Sequence, residues 1–337
     1  MIEGKKIAVV VPAYRVADRI GEVIARMPAC VDRTIVVDDA SPDDVAERVT
    51  KMQDPRVILL RHSKNRGVGG ATVTGMLEAM RKACDIIVKC DGDGQMDPAD
   101  IPRLVDPLVK GLADHAKGCR FHHFRALRTM PLWRLVGNIG LTFLTKMASG
   151  YWNVLDPVNG FLATRVEVLS CLHLSEISRR YFFETDLLIR LNILEARVAD
   201  VPFPARYADE VSTLSIPRAL FVFPFRLLGG LVRRIFWRYL FYDVSPVAIF
   251  ALLGTVSLGF GVVFGAYHWI SNVVRGIGTP AGTVILAALP CIIGFQLLVQ
   301  AIVLDIQSTP RPGGEPPRRH ALLSSQTQEE FPGGNTP

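Results

Sequence analysis

The 337 residues are enough for more than one domain, and with 49% apolar and 21% charged residues the bulk composition is ordinary while its distribution along the chain is not. Six cysteines (Cys30, Cys84, Cys90, Cys119, Cys171, Cys291) show no CxxC pairing and no nearby histidine at metal-ligand spacing, which argues against a disulfide framework or structural zinc and reads as buried thiols in a reducing compartment. The net charge of +6 comes without a nucleic-acid-binding module or an interleaved aromatic platform, so nucleic acid is not an expected partner.

MIEGKK runs straight into the strand-like VVVPAY with no cleavage site, so no signal peptide is read and residues 1–215 are expected to form a cytoplasmic α/β domain. Short β-branched runs at Lys6–Val11, Thr34–Asp38, Arg56–Arg61 and Asp85–Cys90 alternate with helical patterns at Asp18–Met27, Asp43–Met52 and Val68–Ala83. That rhythm predicts a mostly parallel sheet with helices on both faces, whose functional residues gather at the carboxyl ends of the strands. Pro12 and Tyr14 follow the first strand, Asp38 and Asp39 end the second, and Asp91 and Asp93 follow the fourth. A helix is expected from Glu184 to Ala196 and a last strand over Asp200–Tyr207.

Residues 216–242 carry Arg218, Arg226, Arg233, Arg234 and Arg238 and no acid. At ~100° per residue the last four fall within an arc of about 140°, with Phe225, Phe236 and Leu240 on the other side. The pattern predicts amphipathic helices over 216–243 lying on anionic lipid, broken by Pro217 and Pro224, or else a basic solvated face. Val247–Ile270 and Ala281–Leu304 contain no Asp, Glu, Lys or Arg, and each exceeds the ~20 residues that cross a bilayer. They read as a transmembrane hairpin over 244–306. The basic flanks place both its ends, and the tail 307–337, in the cytoplasm of a multi-pass inner-membrane protein. Gly261 and Gly265 form a GxxxG that can pack on the second helix or on another copy, which leaves a homo-oligomer open. Gln296 and Gln300 share a face and are expected to bond across a helix pair. The Pro- and Gly-rich tail reads as disordered.

The chemistry centres on Asp91-Gly92-Asp93-Gly94-Gln95. Two carboxylates one residue apart at a strand end can both face a cleft, and hard oxygen ligands on a loop suit Mg²⁺ or Mn²⁺ bridging a diphosphate. A nucleotide-sugar donor needs such an ion, because its leaving group is a nucleoside diphosphate. Tyr14 offers a ring and a hydroxyl to a base or ribose after the turn fixed by Pro12. Asp38 or Asp39 can accept hydrogen bonds from ribose or base, while Ser41 or Asp43 can cap the next helix. The loop Asn65–Thr72 opens a helix. It lacks the third glycine of a dinucleotide fingerprint and the Lys-Ser/Thr of a P-loop, but close approach of its backbone to the donor, at Gly67, fits.

Together Pro12-Ala13-Tyr14, Asp38-Asp39-Ala40-Ser41, Asn65-Arg66-Gly67-Val68-Gly69 and Asp91-Gly92-Asp93-Gly94-Gln95 resemble a family 2 glycosyltransferase of GT-A fold, of the polyprenyl-phosphate or dolichol-phosphate mannose synthase-like type, over residues 5–215. The resemblance implies that Pro12, Tyr14 and Asp39 hold the nucleoside, that Asp91, Asp93 and Gln95 bind the metal and diphosphate, and that Arg120 and Arg134 contact phosphate. Glu184 and Asp186 stand where the family often has an acidic pair and join Asp93 as catalytic candidates, although with a phosphate acceptor they need not be bases and can instead orient the sugar or the arginines, or serve the structure. Asp156–Phe161 resembles the family's acceptor-side D-x-x-S-G-F-R, but Asn159 stands for Ser and Leu162 for Arg, with Arg165 a candidate to compensate.

The reading is therefore inverting transfer of a sugar from a UDP- or GDP-sugar to polyprenyl phosphate at the cytoplasmic face. A phosphate monoester is already ionised, so orientation suffices, whereas a hydroxyl acceptor needs a carboxylate base. A hydroxyl acceptor on a glycolipid or polysaccharide, or a nucleotide-binding membrane scaffold without activity, are the alternatives. The chain has no QxxRW and only two spans, which argues against processive polymerisation. The intact Asp91 and Asp93 argue against the scaffold.

Overall fold

The computed structural model describes residues 1–119, 132–203 and 216–314, with side chains described from 139 and from 223 onward in the helices that begin at 132 and 216. Two compact units are present, Met1–Gly230 joined by the residues from Pro310, and Leu231–Thr309.

The first unit is built on a seven-stranded sheet: β1 (Ile7–Ala13), β2 (Arg33–Asp38), β3 (Val57–Arg61), β4 (Ile86–Lys89), β5 (His115–Cys119), β6 (Leu162–Arg165) and β7 (Val198–Pro202), in the order β3-β2-β1-β4-β6-β5-β7. All pairings are parallel except those of β6, which runs antiparallel to both β4 and β5. Every residue of β1 is buried because both faces of the sheet are covered, which is why it reads as a continuous apolar run rather than an alternating one. Ile7, Val9 and Val11 pack towards α1 (Ala17–Ala25), α2 (Val45–Lys51) and α4 (Ile101–Val109). Ala8 and Val10 face α3 (Val68–Arg81), α6 (Val166–Ser170) and α7 (Phe183–Ile193). A further helix, α5, spans Leu132–Ser149. The expected first three helices and four strands are all present, with ends shifted by up to two residues. The strand expected from Asp200 starts at Val198, and residues 204–207 lie outside the described region.

Helix α8 (Ile216–Arg234) runs through Pro224 without the expected break. In the second unit a π-helical turn, Ile235–Phe241, leads to α9 (Pro246–Val274) and α10 (Ala281–Gln307), two helices long and apolar enough to cross a membrane. They pack along small residues. A Cβ at Gly261 would stand 2.7 Å from the Ala287 carbonyl oxygen, and one at Gly254 3.0 Å from that of Gly294. The GxxxG therefore faces the second helix. Gln296 and Gln300 do not: both are exposed on α10, so they form no bridge within the hairpin.

The basic stripe also departs from expectation. Arg234 and Arg238 are buried. Arg234 makes a two-pronged pair with Asp305 (2.6 and 3.0 Å), Tyr239 donates to the same carboxylate (2.7 Å), and Arg238 donates to the Ser308 carbonyl (2.7 Å). Asp305 lies one residue past the charge-free window, so the sequence pattern hid the partner that draws these arginines inward. Removing one member of a buried ion pair costs about 3–5 kcal/mol, whereas replacing both by apolar groups is often neutral. Asp305→Asn is thus expected to destabilise the hairpin unit by roughly 3 kcal/mol in detergent, and the Arg234→Leu/Asp305→Leu pair to recover most of that; thermal unfolding of the three proteins checks it.

After α10 the chain returns to the first unit. Gly313 donates its amide to the Leu112 carbonyl (2.8 Å), and Arg197 donates from Nη1 to the Gly314 carbonyl (3.2 Å). Gly313 and Gly314, placed by the sequence reading in the disordered tail, are thus hydrogen-bonded, and the rest of that tail, 315–337, lies outside the described residues.

Candidate active site at the carboxyl edge of the sheet

Three loops meet where β1, β2 and β4 end. After β1, Pro12 still sits within the strand, opposite Val37, and Tyr14 turns outward with 43% of its surface exposed. Asp38, at the end of β2, accepts the Ser41 amide (2.8 Å) and pairs with Arg61 (3.1 Å). Ser41 accepts the Arg15 amide, and Asp43 accepts the amide of Ala17, the first residue of α1. Ser41 and Asp43 thus tie the β1 and β2 loops together. Asp44, which directly precedes α2, makes no side-chain cap bond, but the Asp43 carboxylate also accepts from the Val45 amide that opens the helix, so Asp43 supplies the expected cap.

Asp39 is buried, and its carboxylate accepts the amides of Arg66 (2.8 Å) and Gly67 (2.7 Å) and lies 2.7 Å from His62 Nδ1. What Asp39 does in this structure is to shape the loop that opens α3. Gly67 has φ +82° and a Cβ there would stand 2.6 Å from the Arg179 carbonyl oxygen, so both conformation and space demand glycine.

Asp91 and Asp93 follow β4 as expected, with Asp93 accepting the Gln95 amide (2.9 Å) to close the turn. Sequence reasoning missed Lys89, the last residue of β4. Its ammonium is buried, donates to Asp91 Oδ1 (2.7 Å) and to the Gly160 carbonyl (3.4 Å), and lies 3.3 Å from Glu184 Oε1. Burial alone would push this ammonium down, but Asp91 and Glu184 outweigh it and hold it above the usual lysine range. Asp91 and Glu184, 93 positions apart, are thereby clamped by one cation. Gly160 closes over them: a Cβ there would fall 2.7 Å from both Asp91 Oδ2 and Lys89 Nζ.

A second buried lysine, Lys117 on β5, donates to the Asn159 carbonyl (2.7 Å). Burial brings its ammonium down to about 8, only partly offset by Glu184 and Asp156. Between about pH 8 and pH 10 the unfolded chain keeps a proton on this lysine that the folded chain has released, so folding gains stability as pH rises there. The stability of wild type relative to Lys117→Met is expected to climb by about 1.4 kcal/mol per pH unit over that window and to be flat below it, as read by denaturant titration.

Asn159 folds its own loop, with its Oδ1 accepting the Phe161 amide (3.0 Å) and its Nδ2 donating to Asp156 (3.3 Å). Arg165 does not compensate for Leu162. Leu162 pairs with Lys89 and Arg165 with Ile86, so Arg165 lies three residues, about 10 Å, towards the opposite edge, bonded to Glu167. The structure also separates the acidic pair of α7. Glu184 faces Lys89, while Asp186 accepts the Ser178 amide (2.9 Å) and sits 3.5 Å from Arg190. Two residues on a helix point about 200° apart, so both cannot face one cleft. Arg120 lies outside the described residues, as does the side chain of Arg134.

For a divalent cation, Asp91, Asp93 and Gln95 supply hard oxygens on one turn, and among the described residues no group of three or more His, Cys, Asp and Glu forms a cage. Such a set fits Mg²⁺ or Mn²⁺, ions that keep waters and take remaining oxygens from a phosphate ligand. All six cysteines are free thiols.

A mixed seven-stranded sheet with helices on both faces is the fold of GT-A glycosyltransferases. Glucosyl-3-phosphoglycerate synthase from Mycobacterium tuberculosis, crystallised with Mn²⁺, UDP and glucosyl-3-phosphoglycerate, shares this fold with a TM-score of 0.52 at 22% identity over 68% of this chain and 80% of that one. The model of glycosyl transferase family 2 matches residues 8–172. The UDP-N-acetylglucosamine--dolichyl-phosphate N-acetylglucosaminyltransferase of Methanococcus voltae is 30% identical over 61% of this chain and 87% of its own. The polyprenol monophosphomannose synthase of Mycolicibacterium smegmatis is 31% identical over 58% and 75%. The chain belongs to glycosyl transferase family 2, and the protein is a glycosyltransferase.

Proposed function

We propose that this enzyme transfers a sugar, with inversion, from a UDP- or GDP-sugar to polyprenyl phosphate, at the cytoplasmic face of the membrane that α9 and α10 span. The observation that carries the acceptor is the clamp on Glu184. The carboxylate best placed to deprotonate a hydroxyl acceptor has Oε1 beside the buried Lys89 ammonium at 3.3 Å. A phosphate acceptor needs no base, only orientation and shielding of charge. The named relatives support the same acceptor, since the two above act by name on dolichyl phosphate and polyprenol, and a Micrococcus luteus relative, 27% identical over 82% of its length, is an undecaprenyl-phosphate mannosyltransferase.

On this reading Tyr14 and Pro12 bound the nucleoside, with Asp38 and Asp39 fixing the loops around it. Asp91, Asp93 and Gln95 hold Mg²⁺ or Mn²⁺, which when bound neutralises charge on the departing diphosphate. Lys89 keeps Asp91 oriented towards that ion and Glu184 towards the sugar. Arg120 and Arg134 serve phosphate, as the family resemblance implies. The basic flanks of the hairpin orient it with both ends in the cytoplasm. The test is to incubate membranes with labelled nucleotide sugars, Mg²⁺ or Mn²⁺, and polyprenyl phosphate. Label in the lipid fraction with one donor is the expected result; none with any donor sinks the proposal.

A further inference from the structure

Three arginines assigned to no role converge beside this site. Arg66 precedes α3, while Arg179 and Arg180 lie in the loop before α7, more than 110 positions later. Backbone brings them together, because the Gly70 amide donates to the Arg179 carbonyl at 3.0 Å. A Cβ built on Gly70 would meet Arg66 Cβ at 2.7 Å and Arg179 Cβ at 3.8 Å, and one on Gly67 would meet Arg180 Cγ at 2.9 Å. The three side chains therefore leave the backbone from one patch. All three are exposed, and no carboxylate lies within ion-pair distance of any of them among the described residues.

The surrounding structure is spent on fixing that patch. Asp39 accepts the amides of Arg66 and Gly67, Asp186 accepts the amide of Ser178, and Arg190 donates to the Glu176 carbonyl at 3.0 Å. Two of the acids that the sequence assigns to substrate or catalysis thus hold the loops that carry the arginines. Clustered cations without counter-charge repel one another, and a fold that rigidly holds them leaves an anion to supply the missing charge. Guanidinium forks match phosphate oxygens two at a time. The patch lies at the carboxyl edge, since Gly69 sits against Phe183, the residue before Glu184.

We propose that Arg66, Arg179 and Arg180 form a phosphate-binding site, distinct from Arg120 and Arg134, for a phosphate ester of one of the two substrates. The assignment rests on the proposed reaction for the choice between the donor's diphosphate and the acceptor's monophosphate, which offer the same chemistry. The test uses the full chain in detergent with Mg²⁺, comparing wild type, Arg66→Gln, Arg179→Gln/Arg180→Gln and Arg179→Lys/Arg180→Lys. Direct binding is measured for UDP, GDP, the free nucleosides and a short-chain polyprenyl phosphate. The glutamine pair should weaken one phosphate ligand at least tenfold, with the lysine pair recovering part of the loss and Arg66→Gln costing about threefold. Loss confined to a nucleoside diphosphate, with nucleoside binding unchanged, assigns the donor. Loss confined to polyprenyl phosphate assigns the acceptor. Unchanged binding of every phosphate ligand in a variant with wild-type melting temperature overturns the site, as does an equal loss for free nucleosides. Transfer by wild type is assayed separately, so an inactive enzyme would sink the proposed reaction while the binding measurements still judge the arginines.

Discussion

Lys89→Met is expected to lower turnover at least 100-fold and to destabilise the first unit by about 3–5 kcal/mol. The stability loss follows from removing a buried cation that pairs with two carboxylates, Asp91 at 2.7 Å and Glu184 at 3.3 Å. The turnover loss follows because both carboxylates lose the group that orients them, and misplacement of about 1 Å is costly at a reacting centre. Two measurements separate these effects. The Lys89→Met/Glu184→Gln pair should regain much of the stability in denaturant titration, since one uncompensated charge is gone, yet stay as slow as the single variant. Added Mn²⁺ should raise the melting temperature of Lys89→Met by more than that of wild type, because an ion at Asp91 replaces part of the missing charge. Equal metal effects on the two proteins would show that Lys89 and the metal do not share Asp91.

Asp93→Ala carries the other large effect, a fall in turnover on the order of 10³ with a melting temperature within a few degrees of wild type. Asp93 lies on a half-exposed turn, and its Oδ1 accepts the Gln95 amide, so truncation costs the fold little. Under the proposed reaction the cost falls on the leaving diphosphate, whose charge would lose an electrostatic partner in the transition state. Mn²⁺ affinity measured by paramagnetic resonance in the presence of nucleoside diphosphate should weaken in parallel, and Asp93→Glu should recover part of both. Full turnover in Asp93→Ala would remove Asp93 from the metal site.

Much of this was legible in the chain. Through β4 the strands are local, β-branched and separated by amphipathic helices, so each element announces itself. β5 and β6 do not. Leu162–Arg165 is four residues long with no periodicity of its own, and it becomes a strand only by pairing backwards between β4 and β5. The DGDGQ turn stood out because its chemistry is carried by consecutive residues. Lys89 and Lys117 did not, because a lysine in a strand ordinarily marks a solvent-facing position. Their burial depends on Glu184, Gly160 and Asn159 arriving from distant segments. Asp305 was overlooked for a related reason: a window chosen for apolar content stops where the first charge appears, and that charge is the partner of Arg234.

The return of the chain at Gly313 and Gly314 makes the catalytic unit discontinuous in sequence, with the hairpin as an insertion rather than an appendage. A soluble version made by stopping the chain before α9 would strip the Leu112 carbonyl and Arg197 Nη1 of their partners at the far side of the sheet from the chemistry. Excising 231–309 and joining the cut ends through a flexible linker keeps those bonds, and is the more faithful way to obtain the first unit without the two long apolar helices.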